Sequence, residues 1–272
     1  MELIKQEVNS TKQLNHKYIC KNYEFQENKT LKKADDTTKQ VSYIVQDAVK
    51  GGELYSYVVN SGIFSEPMCR YFFRQMLMSL HYLHTTGFAH RDLKPENILL
   101  TSKDYDIKLI DFGFATPTSG SDGSGYNKTQ LGTPMFMAPE IISGTKYQGT
   151  TVDLFALGVI LFQMRTGLAP FDNLASKDDM LYKPIYNHRL ETYWKHTEKR
   201  YNQMGYGDDP LTDDFKDLVS SLLDYYPSKR LVMADLINHP WVQGQTPTKE
   251  EVIKEFQERE MEVKEKEEKE RE

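Results

Sequence analysis

His90-Arg91-Asp92-Leu93-Lys94-Pro95-Glu96-Asn97 is the stretch from which the rest of the chain is read. It sets a carboxylate, a lysine and an amide close together, and Asp111-Phe112-Gly113 and then Ala138-Pro139-Glu140 follow it. Moving a γ-phosphoryl group onto a hydroxyl requires an acceptor for the hydroxyl proton and positive charge on the phosphate oxygens. Asp92 can be that acceptor, and Lys94 can aim a compact ammonium at the transferring phosphate. Asn97 and Asp111 offer hard oxygens, which suit Mg²⁺ when substrate phosphates and water complete its shell. The runs Ile98-Leu99-Leu100 and Ile107-Lys108-Leu109-Ile110 predict two short strands that hold Asn97 beside Asp111. The charged residues 102–106 predict the turn between them.

In order and spacing these blocks, together with Gly132-Thr133-Pro134-Met135-Phe136-Met137-Ala138-Pro139-Glu140, resemble the eukaryotic protein kinase domain. The resemblance runs from residue 1 to about residue 243 and begins at the family's αC helix. Lys94 after Leu93, and Thr133, are similar to the serine/threonine branch; Val49-Lys50-Gly51-Gly52-Glu53-Leu54 is similar to the hinge of calcium/calmodulin-dependent and AMP-activated kinases. The fold class implied is α+β, with a mainly helical large lobe and a small lobe consisting of the αC helix and two strands. The cofactors implied are ATP and Mg²⁺. Asp47 and Val49 would offer backbone groups to adenine, Gln46 would limit the depth of the pocket, and Glu53, Leu99 and the αC glutamate Glu7 would serve the same nucleotide.

The resemblance assigns further roles. Asp92, Lys94, Asn97 and Asp111 would be catalytic, with Asn97 and Asp111 holding the metal. Thr129 would be the activating phosphothreonine and Arg91 its cation, a charge-assisted pairing. Glu53 and Glu96 match acidic positions that receive an arginine upstream of the acceptor hydroxyl, and Thr133 stands in the substrate-binding block. Glu140 and Arg230 would form a buried ion pair, and Asp153 would anchor the catalytic-loop backbone. Partners implied are proteins phosphorylated on Ser or Thr with an upstream Arg, and an upstream activating kinase.

Three departures stand beside these expectations. Neither Gly-x-Gly-x-x-Gly nor a strand lysine precedes the catalytic block, and Lys5, itself on the αC segment, is a poor substitute for that lysine. Thr11 and Asn22 fall where the family stacks aliphatic side chains against Phe112 and His90. Two functions therefore stay open: a basophilic serine/threonine kinase of which this sequence lacks an N-terminal portion, and a catalytically impaired kinase-like binding module.

The net charge of -6 argues against nucleic acid as an electrostatic partner. Two cysteines, Cys20 and Cys69, are too few for a disulfide framework. No apolar run is long enough to span a bilayer and no leader pattern opens the chain, so a soluble protein of the cytoplasm or nucleus is expected. Three parts are predicted: a small-lobe remnant over 1–47, a large lobe over 48–243 and a charged tail over 244–272. Strands are expected over 20–26 and 41–46 with a polar loop over 27–40, and a buried helix over 66–83. Residues 116–125 read as the activation loop, and the aromatic, basic stretch within 177–209 as packing of the αG region, with a docking surface as the alternative. The tail, with Thr248 and Glu251 as a capping box and only Val252, Phe256 and Val263 as a thin apolar stripe, reads first as an exposed helix, the alternative being that it packs on the domain or recruits a partner.

Overall fold

The computed structural model describes residues 11–120 and 122–271. The expected αC segment, with Lys5 and Glu7, lies outside the described residues. Strands β1 (Asn22–Lys32) and β2 (Thr38–Gln46) form an antiparallel hairpin in which Asn22 faces Gln46, Phe25 faces Ile44 and Lys32 faces Thr38. The strands run through most of what reads as a loop in the sequence. A tight turn makes this possible: Lys33 N donates to Thr37 O at 2.8 Å, and the Asp35 carboxylate accepts from Thr37 N and Oγ1. Backbone pairing rather than a buried face sustains the hairpin, for Leu31, Tyr43 and Val45 stay exposed.

Helix α1 (Leu54–Ser61) leads into α2 (Glu66–Thr85). Ser65 caps α2 by accepting from Met68 N, and Phe72, Phe73, Met76, Leu80 and Leu83 are buried along it. Two short strand pairs follow: β3 (Phe88–Ala89) pairs with β6 (Thr116–Pro117), and β4 (Ile98–Leu100) with β5 (Ile107–Leu109), Ile98 facing Leu109. After the single turn of α3 (Pro139–Ile142) comes α4 (Gly149–Thr166), buried along almost its whole length. The short α5 (Lys183–Tyr186), α6 (Leu190–Gln203) and α7 (Asp213–Leu222) surround it, and α8 (Met233–Ile237), α9 (Pro240–Gln243) and α10 (Lys249–Arg271) complete the chain. A Cβ at Gly158 would lie 2.7 Å from Leu222 Cβ, so a glycine is what lets α4 approach α7 this closely. Tyr193, Trp194 and Tyr201 are buried on α6, and Trp194 Nε1 donates to Ser220 Oγ at 2.9 Å; this aromatic stretch packs, as expected.

The tail departs from its expected exposure. Val252 and Phe256 of α10 are fully buried, and the Phe256 ring lies within 5.6 Å, centroid to centroid, of Tyr57, Phe64, Phe72 and Tyr105. Arg259 donates to the carbonyls of Ser61, Gly62 and Ile63, closing the C-terminal end of α1. Tyr105 donates to Glu260 at 2.6 Å. Among the described residues no helix is long and apolar enough to cross a membrane.

Candidate functional site

The site is built on the backbone that links β3 to β4. Asp153, fully buried near the start of α4, accepts from Arg91 N on one oxygen (2.7 Å) and from His90 N on the other (2.9 Å), with His84 Nε2 at 2.8 Å from the latter. These bonds hold Arg91 in the left-handed region at φ 66°. The His90 ring reaches Ile110 O at 3.1 Å and stands 5.1 Å from the Phe112 ring. Asp153 thus sits where it can fix the catalytic loop, and His84, in the last turn of α2, shares its carboxylate.

Asp92 is 4% exposed. Its Oδ2 accepts from Lys94 Nζ at 2.8 Å, while Oδ1 accepts from Thr133 N and Oγ1 at 2.9 and 3.1 Å. The bond to Asp92 raises the Lys94 pKa and keeps the ammonium charged. Gly132, at φ 119°, makes room for this approach: a Cβ there would lie 3.2 Å from Arg91 O and 3.5 Å from Asp92 Oδ1. Asn97 donates its amide nitrogen to Asp92 O at 2.9 Å, leaving the amide oxygen available, and Ile110 N donates to Asn97 O at 3.0 Å. That backbone bond sets Asn97 next to the exposed Asp111, which holds φ 60° and accepts from Gly113 N on one oxygen only. The donor set fits a hard divalent cation. No group of three or more His, Cys, Asp or Glu among the described residues could cage one, so substrate oxygens and water would have to complete the shell.

Val49, Glu53 and Leu99 line one cavity of about 420 Å³ with Gly51, Tyr57 and, from the tail, Val263. Asp47 stands apart from that cavity: its N–H donates to Lys21 O, and its carboxylate takes Lys21 N, the Tyr23 hydroxyl and the Lys108 ammonium. Burial, and after it the charge of Glu96, raises the Glu53 carboxyl above its ordinary pKa. Two carboxylates near enough to repel are thereby brought together. Thr11 and Asn22, the polar pair where aliphatic side chains were expected, are both buried, and Asn22 Nδ2 donates to Thr11 Oγ1 at 2.9 Å.

Around Arg91 the activation segment is already docked. Nε donates to Phe114 O at 2.8 Å and Nη1 reaches Thr129 Oγ1 and Tyr147 Oη, both at 3.2 Å, and Asn127 Oδ1 at 3.5 Å. Farther out, Arg230 grips Glu140 through two bonds of 2.7 Å, with both side chains buried. Tyr147 and Asn127 are the residues sequence reasoning missed. They lie outside every motif, and only the weak signal of a tyrosine and an asparagine flanking the loop could have drawn notice.

The protein kinase domain model matches residues 1–242. The chain is 33% identical over 240 residues to maternal embryonic leucine zipper kinase of Danio rerio, covering 88% of this chain and 31% of that protein. It is 35% identical over 236 residues to probable serine/threonine-protein kinase fhkC of Dictyostelium discoideum, covering 85% and 36%. With probable serine/threonine-protein kinase MARK-A of the same organism it shares 33% over 243 residues, 89% of this chain and 20% of that protein. The chain spans about a third or less of the length of these three relatives.

Proposed function

The chain belongs to the protein kinase domain family, and on that premise we propose that it transfers the γ-phosphoryl group of ATP to serine or threonine hydroxyls of proteins. The observation that carries this is the Asp92 carboxylate, buried yet held by Lys94 and Thr133, with Asn97 bonded to the Asp92 backbone and, through Ile110, set next to Asp111. Asp92 accepts the proton of the attacking hydroxyl; Thr133 fixes the carboxylate's direction, and Lys94 lends positive charge where the phosphate oxygens pass. Asn97 and Asp111 would hold Mg²⁺; ATP would supply the electrophilic phosphorus, and the ion would neutralise charge on its phosphate oxygens. Val49, Glu53 and Leu99 receive the nucleoside. The paired carboxylates Glu53 and Glu96 select an arginine upstream of the acceptor, since a guanidinium would offset both the burial and the Glu96 charge that raise the Glu53 carboxyl. Thr129, exposed and within reach of Arg91, is the phosphoacceptor for an activating kinase.

The test is Mg²⁺-dependent ³²P transfer from ATP to an Arg-x-x-Ser peptide by the 272-residue chain. Asp92→Asn should lower the rate by about 10² to 10⁴, and replacing the peptide arginine by alanine should weaken it further. Transfer that survives Asp92→Asn undiminished would sink the proposal.

A further inference from the structure

The Tyr147 hydroxyl is 2% exposed with its residue and does two things at once: it accepts from Arg91 Nη1 at 3.2 Å and donates to Thr129 O at 2.8 Å. The backbone of the same residue pairs with Asn127, Asn127 N to Tyr147 O at 2.7 Å and Tyr147 N to Asn127 O at 3.0 Å. One side chain and its own peptide groups therefore tie residues 127–129 and the catalytic-loop arginine into a single unit, and every acceptor on Arg91 in that unit is neutral.

Two donors in the unit are unspent. Arg91 Nη2 makes no hydrogen bond among the described residues, and Asn127 Nδ2 is buried without a partner. Their residues border Thr129: Arg91 Nη1 lies 3.2 Å from Thr129 Oγ1 and 3.5 Å from Asn127 Oδ1, so a charged acceptor carried by Thr129 would arrive beside both side chains.

We infer that Tyr147 is a positioning residue that docks the activation segment onto Arg91 before Thr129 is modified, its hydroxyl standing in for the charged group that a phosphate at Thr129 later supplies. The hydroxyl acts through Arg91, whose backbone N–H is held by Asp153, and so steadies the loop that carries Asp92. The purpose of the tether rests on the kinase reading above; the tether itself does not, and its test needs no phosphoryl transfer.

The experiment is amide hydrogen exchange on the full chain, with Thr129 shown by intact mass to be unmodified, in the wild type, in Tyr147→Phe, and in Tyr147→Phe combined with Thr129→Glu. Phenylalanine keeps the ring and removes only the hydroxyl. The Asn127 and Tyr147 amides should be protected in the wild type and exchange about tenfold faster in Tyr147→Phe, while amides in the middle of α2 stay unchanged. Thr129→Glu should restore protection by giving Arg91 and Asn127 a charged acceptor, a rescue that a loss of ring packing would not show. Equal exchange in the wild type and Tyr147→Phe, or faster exchange in α2 as well, would overturn the inference. If exchange behaves as expected while ³²P transfer is absent, the tether stands and the kinase reading falls.

Discussion

At the scale of the residue, burial decides which charges matter. Lys32 and Asp36 form a 2.6 Å pair on the hairpin turn with side chains 69% and 83% exposed, a setting in which ion pairs contribute about 0 to 1 kcal/mol. Glu140 and Arg230 are 5% and 0% exposed, doubly bonded, and the guanidinium also lies 4.9 Å from the centroid of the Phe155 ring. Removing one partner there leaves the other charge unpaired inside the lobe. Glu140→Gln should therefore cost about 3 to 5 kcal/mol, read as a lowered midpoint in urea with an unchanged slope, while Asp36→Asn should leave the midpoint within error. The residues of Asp92, Asp153, Glu140 and Arg230 were legible because short local blocks announce them. Tyr147 was not: its tie to Arg91 spans 56 positions, and nothing in the sequence between them marks the distance.

At the scale of the element, β4, β5 and α2 followed from apolar runs and spacing, since each has a face that must be buried. The hairpin and the tail did not. β1 and β2 extend through Glu27 to Lys32 and from Thr38 because a turn and a ladder of backbone bonds suffice, and side-chain polarity says little about either. Helix α10 is charged along most of its length, yet it docks through a handful of residues: Phe256 fills a space walled by four aromatic rings, and Arg259 satisfies carbonyls that end α1. Their partners lie so far back in the chain that a local pattern cannot show them. Phe256→Ala should cost about 3 to 5 kcal/mol, and calorimetry should show one transition at lower temperature. A variant as stable as the wild type would mean that the tail is only loosely seated.

At the scale of the whole molecule, Asp106 joins parts that no element joins. Lys17 before the hairpin reaches it at 2.8 Å, Tyr71 and Gln75 of α2 at 3.2 Å, and Lys249 at the start of α10 at 2.5 Å. Burial alone would push this carboxyl up, but the bonds from Lys17 and Lys249 outweigh it and hold the pKa below the ordinary value. A depressed native pKa gives stability that is present above the unfolded value and lost as pH falls through the folded one. Acid unfolding followed by circular dichroism should thus steepen below the usual aspartate range in the wild type, and Asp106→Asn should be less stable at neutral pH and flatter in acid. The reach of Arg259, 198 positions back to Ser61, has a consequence for how the chain is made. During synthesis α1 and α2 leave the ribosome long before the side chains that cover their groove, so the aromatic rings of Tyr57, Phe64 and Phe72 stay open to wrong partners until Phe256 and Arg259 have emerged. Closure of this groove waits on the synthesis of α10.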